Sequence, residues 1–299
     1  MIKIEYHKES SLEGVARRAL SQVKQGERIF NFVITAEIER KSLVHEPLAD
    51  VTETAQKWRQ HVTPDELIIN HGKYIGEGLV HLTEELRQKP TSNRALYSLI
   101  NSNDIINSGD KPIPSFLIFQ CGLSDGVLYC TVYFRALEIA NFFRINLEEI
   151  RLNLCEVLDR VDAEAIRLAV IAFSAYNRPS QSALVKPEID RISNVELFDV
   201  LNNDKAKVVR MLTEKAQEAT FIGLSSIEEI REWSRPERAY RPNLGNINQI
   251  YFLASNAVEA ARQLVLLRER HSHHPGVAEK AALYSEAIGK LASEFEKCP

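Results

Sequence analysis

The chain has four cysteines in 299 residues, and no two of them form a CxxC pair. Neither a disulfide framework nor a zinc knuckle is therefore indicated, and Cys121, Cys130, Cys155 and Cys298 read as buried or idle thiols. Long hydrophobic runs are also lacking. The longest, Leu168 to Phe173, falls far short of the roughly 20 residues that a membrane span needs. The opening MIKIEYHKESS has no secretory core, so the expectation is a cytoplasmic protein with no membrane contact. An excess of positive charge is missing too. With 37 Lys+Arg against 41 Asp+Glu, a polycationic nucleic-acid wrapper is excluded, and no direct nucleic-acid signal appears. There is no GxxxxGK[ST] loop, no GxGxxG after a strand, no GxSxG elbow and no HExxH, which excludes P-loop nucleotide hydrolysis and several common hydrolase sites. His271, His273 and His274 cluster in what reads as a helical hairpin turn; they are taken as solvated, and no metal site is assigned.

What is present is a 44% hydrophobic composition, enough to bury a core and to exclude disorder. At about 100–200 residues per domain, the length suits one large domain or two modest ones. Ser10 with Glu13 makes a capping-box start, and Leu12, Val15, Ala19 and Val23 then recur at helical spacing up to Gly26. Arg28 to Glu39 is rich in β-branched and aromatic residues and reads as a long strand. Helical periodicity returns from Glu77 to Gln88, ahead of Pro90. Strand-like runs follow at 94–100, 115–123 and 127–134, the last two joined by the turn signal Ser124-Asp125-Gly126. A polar loop, Asn101 to Pro114, separates the first two, and loops of that length in a compact domain are often functional. A long helix from Ala136 to about Arg160 and a buried strand near 163–176 complete this half. After about residue 180 the pattern turns helical. Ser225 with Glu228 caps one helix, and the stripes Leu253–Leu267 and Tyr284–Phe295 make a hairpin of two more.

The segment from Ser92 to Asn146 carries an ordered series of side chains. Arg94 sits in a strand-like run, Pro114-Ser115-Phe116 ends a loop, and Gln120 follows Ser115 by five residues. Leu128 to Arg135 makes a hairpin strand ending in arginine, Glu138 stands three residues beyond Arg135, and Asn146 stands eight beyond Glu138. Ser174-Ala175-Tyr176 closes the following strand. This order and spacing resembles the central part of thymidylate synthase and its sister deoxycytidylate hydroxymethylase, with only Arg94 kept of an Arg-Arg pair, Pro-Ser-Phe for Pro-Cys-His, Arg-Ala-Leu-Glu for Arg-Ser-x-Asp, and Ser-x-Tyr for His-x-Tyr.

The resemblance implies an α/β (α+β) fold with a mixed, mainly antiparallel sheet flanked by helices over residues 1–205; the helical patterns beyond it make residues 206–299 a helical extension. It implies a homodimer through the sheet face, with Arg94 reaching the partner's site; residues 206–299 lie outside the resemblance, and a protein partner for them belongs to the reading of the chain as an assembly subunit. It implies a nucleotide or related anionic small molecule as ligand. Arg135 would fork onto a phosphate, with Arg94 adding a second guanidinium; Asn146 would read a pyrimidine edge, and Gln120, Glu138 and Tyr176 would line the site. From the residues alone, two plainer readings stand beside these: an Arg135–Glu138 ion pair at i,i+3, and Asn146 as a helix-surface amide. The departures bear on chemistry. Ser115 stands where the family's thiolate attacks C6 of the ring, and a serine hydroxyl needs an adjacent base that a thiol does not. Ser115 is then expected to position water or substrate rather than attack. Two functions follow from different classes. One is a pyrimidine-nucleotide C5-modifying transferase of altered mechanism. The other is an inactive nucleotide-sensing or assembly subunit of a multi-protein system such as antiviral defence. No cofactor follows from the residues, and the use of a folate stays open.

Overall fold

A computed structural model describes residues 4–109, 111–178, 185–217, 221–238, 242, 244–271 and 275–297. The chain divides into two compact units. Within the described residues, the first takes in the chain up to Pro64, then 69–107 and 113–178; the second takes in 65–68, 108–112 and the chain from Val185 onward. Residues 185–205, grouped above with the first domain, thus belong to the second unit.

The first unit is a mixed, mainly antiparallel sheet with helices. Its elements are β1 (His7–Lys8), α1 (Leu12–Gln22), β2 (Arg28–Glu39), α2 (Arg40–His45), α3 (Thr52–Trp58), α4 (Gly72–Ile75), α5 (Gly78–Gln88), β3 (Leu96–Ser98), α6 (Ser102–Ile106), β4 (Phe116–Ser124), β5 (Val127–Phe134), β6 (Leu137–Glu138), α7 (Phe142–Leu158) and β7 (Ala165–Tyr176). The strands lie in the order β1-β2-β7-β5-β4-β3, with β6 added beside the end of β7. β2 runs antiparallel to β7, and β3, β4 and β5 form an antiparallel meander; β5 and β7 are parallel, joined by α7 as the crossover helix.

Local chemistry accounts for these elements. Asp125 and Gly126 both adopt positive φ, 51° and 72°, as a two-residue turn between right-twisted strands requires. Along β5 the alternation Leu128, Cys130, Val132, Phe134 turns one face into the core, where all four are at most 1% exposed. Phe116 and Phe119 from β4 and Phe143 and Leu147 from α7 are likewise fully buried. Each such side chain contributes about 1.5–3 kcal/mol relative to exposure. The polar Asn101–Pro114 stretch is not all loop: Asn101 accepts from the backbone of Asn103 and Asp104, and Asp104 accepts in return from Asn101, a reciprocal cap that nucleates α6.

The sheet's other face follows the registered row Ile118–Tyr133–Ile171–Val33 across four strands. Ile118, Val33, Phe173 and Phe30 on this unit are exposed, and the Phe30 and Phe173 rings lie 5.5 Å apart.

The second unit is helical: a 3-10 turn (Glu188–Asp190), α8 (Asn194–Asn203), α9 (Lys205–Lys215), α10 (Ser225–Trp233), α11 (Ile247–His271) and α12 (Gly276–Glu296). The expected hairpin is α11 and α12. Its core joins Met211, Ile230, Ala257, Leu264, Tyr284 and Phe295. Asp190 gathers three elements: its Oδ2 lies 2.5 Å from Lys215 Nζ, and its Oδ1 accepts from Ser226 Oγ at 2.5 Å. Burying Lys215 completely is tolerable only with such a partner.

Candidate functional site

β5 and β7 end at the same edge of the sheet, β6 ends beside them, and α7 begins there. In open sheets with parallel strands, the crevice beyond the carboxyl ends of those strands is where ligands bind, next to helix N-termini. Several of the residues singled out above meet at this edge. Ser115 immediately precedes β4, and its carbonyl accepts from the Arg135 backbone N–H at 2.9 Å. Arg135 follows β5. Glu138 and Arg28 are the registered neighbours of Tyr176 on either side of β7.

Arg135 is anchored rather than paired with acid. Its Nε donates to the Pro114 carbonyl at 3.2 Å and its Nη2 to the Ile113 carbonyl at 3.0 Å. Partial burial lowers its pKa, and the phenol of Tyr176 is close enough to oppose that shift electrostatically. Tyr176 has two further cations on it: Cζ of Arg28 lies 5.7 Å from the ring centroid and Cζ of Arg178 lies 5.8 Å from it. Among the described residues, none of Arg28, Arg135 and Arg178 forms an ion pair. Three guanidinium groups thus converge on one sheet edge with no carboxylate neutralising them.

The carboxylate registered beside Tyr176 is fully engaged elsewhere. Glu138, 2% exposed, accepts through Oε1 from the backbone N–H of Ala140 at 2.8 Å and of Arg178 at 3.1 Å. Through Oε2 it accepts from Asn141 at 2.7 Å and Phe142 at 3.1 Å. It is the cap of α7, and this explains why the helix starts at Phe142 rather than at Ala136 as periodicity suggested. Glu138 is held away from an ion pair with Arg135 by these four bonds.

Asn146 is buried at 5% exposure, so it is not a helix-surface amide. It lies about 6 Å along α7 from Phe142. Tyr176 points to the same side of the sheet as the buried row Val170, Ala172 and Ser174, the side that α7 covers. Gln120 does not. Its registered neighbour is Thr131, between the inward Phe119 and Cys121, so strand alternation turns it to the opposite face, where its Nε2 donates to the Asn93 carbonyl at 3.0 Å. Arg94 is exposed beside that loop, with its backbone N–H donating to Ser92 Oγ. The sheet therefore separates Gln120 from Asn146, while Ser115, Arg135, Glu138 and Tyr176 share one end.

A second polar group was not anticipated. On the inward face of α7, Asn146, Glu149 and Asn153 succeed one another at i, i+3 and i+7. His71 Nδ1 lies 2.7 Å from Glu149 Oε2, with both side chains buried and the imidazole edge-on to Trp58 and Phe116. Asn153 Oδ1 accepts from Arg59 Nε at 2.7 Å, and its Nδ2 donates to Tyr97 Oη at 3.1 Å. Burial pushes the Tyr97 phenol well above its ordinary pKa, and the nearby Glu149 adds to that. Gly72 makes this packing possible, because a Cβ there would lie 2.1 Å from the Arg59 carbonyl. The signal in the sequence was the adjacent pair Glu148-Glu149 in the middle of a long helix, both of whose side chains are buried. The two carboxylates differ: Glu148 accepts from Leu48 N, Thr52 Oγ1 and both Nε and Nη2 of Arg151, whereas Glu149 uses one oxygen and, among the described residues, its Oε1 has no hydrogen-bond partner. Asn146 Oδ1 likewise has no hydrogen-bond partner among the described residues.

The cysteines lie apart from this edge. Cys121 and Cys130 are free, buried cross-strand neighbours, and burial raises the Cys130 thiol well above its ordinary pKa. His273, His274 and Cys298 lie outside the described residues, as does the His271 side chain. Among the described residues there is no group of three or more His, Cys, Asp or Glu suited to a metal, and no helix is long and apolar enough to cross a membrane. No protein-family model matches this chain, and no curated protein is similar to it.

Proposed function

We propose that the first unit binds a nucleotide, with the phosphate at Arg135 and the base directed toward Asn146, in the manner of the thymidylate-synthase-like proteins that its residues 92–146 resemble. The observation that carries this reading is the convergence of Arg28, Arg135 and Arg178 on Tyr176 without a carboxylate partner. Uncompensated guanidinium groups at the start of a helix favour a dianionic group, and each can donate two parallel hydrogen bonds to phosphate oxygens. Arg28 and Arg178 join the set proposed from sequence; Glu138 is better read as the positioner of α7 and of the Arg178 backbone than as a ligand contact. Ser115 presents no thiolate, so the ligand is held without covalent attack on its ring. A sensing or assembly role, with residues 206–299 meeting a protein partner, fits that loss.

A second reading is favoured by His71. A carboxylate-oriented imidazole is the usual way to activate a hydroxyl or a water, and His71 packs on Phe116, the residue after Ser115. A transferase acting by general base catalysis, with no thiolate, would use it.

The exposed Phe30, Val33, Ile118 and Phe173 support a homodimer through the open sheet face. Titration calorimetry with pyrimidine nucleoside monophosphates and the matching nucleosides tests the main reading. Removal of the phosphate should weaken binding by about tenfold or more, and equal affinity for nucleoside and nucleotide would refute it.

A further inference from the structure

The unpartnered oxygens on α7 carry a statement about the ligand that the phosphate site does not. Glu149 is 0% exposed and Asn146 5% exposed, and they stand one helical turn apart on the same face. Each leaves an acceptor oxygen, Oε1 and Oδ1, with no hydrogen bond among the described residues. A buried acceptor with no donor costs about 1–3 kcal/mol, and more when it belongs to a carboxylate, so a donor that reached these atoms, a water or a ligand group, would be bound favourably. The neighbouring Glu148 shows what a purely structural carboxylate looks like in this helix: every oxygen is satisfied from within. Glu149 instead has its Oε2 held by His71, which fixes the direction of the remaining oxygen.

We infer that Glu149 and Asn146 form a base-reading wall that selects a nucleobase bearing an exocyclic amino group over one presenting a carbonyl oxygen at that edge. This inference rests on the nucleotide reading above. A carboxylate oxygen can only accept, so it takes an amino N–H and repels a carbonyl oxygen. Asn146 stands nearer the helix start, and Glu149 lies about 10 Å from Phe142 along the axis. Phosphate at the helix start with an amino-bearing base farther along α7 is the order this predicts. Cytosine and guanine both offer such an edge, and uracil and hypoxanthine are their counterparts without the amino group.

Affinities of the full chain for dCMP against dUMP, and for dGMP against dIMP, test it without any substitution. The expected result is a preference of about tenfold or more for the amino-bearing member of one pair, which also tells pyrimidine from purine. Glu149→Gln, whose amide would turn an N–H into the site while its oxygen stays on His71, should erase or reverse that preference. Arg135→Ala should weaken both members of the pair alike and leave their ratio unchanged. Binding that depends on Arg135 but treats the members of both pairs equally overturns the base-reading inference and spares the nucleotide reading. Absence of binding by all four monophosphates overturns both.

Discussion

Arg178 donates its backbone N–H to Oε1 of Glu138 at 3.1 Å, which ties the residue following β7 to the cap of α7. One carboxylate thereby holds the helix start and one of the three arginines in place together. Glu138→Gln replaces an acceptor oxygen by a donor amide, leaving backbone N–H groups at a buried helix start without a partner. We expect the variant to lose at least about 2 kcal/mol in urea unfolding, with an unchanged m-value. A loss below about 0.5 kcal/mol would mean that the capping bonds are not what Glu138 contributes.

The three arginines should act together on anions. Arg135→Ala is expected to weaken nucleoside monophosphate binding about ten- to a hundredfold, and Arg28→Ala and Arg178→Ala to weaken it as well, with a shallower dependence on salt in each variant. Calorimetric titrations at two ionic strengths would show this. Arg135→Lys keeps the charge and loses the planar fork, and should recover only part of the affinity.

Tyr97 sets an alkaline limit. Its folded-state pKa is raised, so above the ordinary phenol value of about 10 the folded protein holds a proton that the unfolded chain has released. Stability should therefore be intact below that pH and fall as pH rises past it. Tyr97→Phe should cost about 1–2 kcal/mol at neutral pH, because Asn153 loses its acceptor, and should show a shallower alkaline decline. Equal alkaline slopes for the two proteins would remove Tyr97 from the explanation.

Ser115 should not form a covalent adduct with a 5-fluoropyrimidine deoxynucleotide, the trap for attack at C6. Mass spectrometry of the intact protein would read this, with Ser115→Cys as the control. An adduct on the unaltered chain would make Ser115 a nucleophile and favour the transferase reading.

The strands were legible because their chemistry is local. Arg28–Glu39 and Val127–Phe134 declare themselves by β-branched content and by the Asp125-Gly126 turn, and the helical hairpin of the second unit by two long apolar stripes. Three features were not legible, each for a reason of long-range geometry. The start of α7 is displaced from Ala136 to Phe142 because Glu138 folds onto the backbone ahead of it, and helical periodicity carries no mark of that. Gln120 falls on the far face of the sheet because parity along β4 is set by Phe119 and Cys121, so constant spacing from Ser115 does not bring it to the same side of the sheet as Asn146. His71 sits far from Glu149 in sequence, and only the close approach allowed by Gly72 brings the two together. Arg28 opens β2 and Arg178 follows β7, and the two become interpretable together once their positions on the Tyr176 ring are known.

The central claim, a nucleotide phosphate held at the sheet edge by uncompensated arginines, is tested most directly by a co-crystal structure of the full chain with a nucleoside monophosphate. The account predicts phosphate oxygens within hydrogen-bond distance of the Arg135 guanidinium, with Arg28 or Arg178 as a second donor and the base on the Asn146 side of the sheet. A nucleotide seated elsewhere, with Arg135 still bound only to the carbonyls of Ile113 and Pro114, would contradict it.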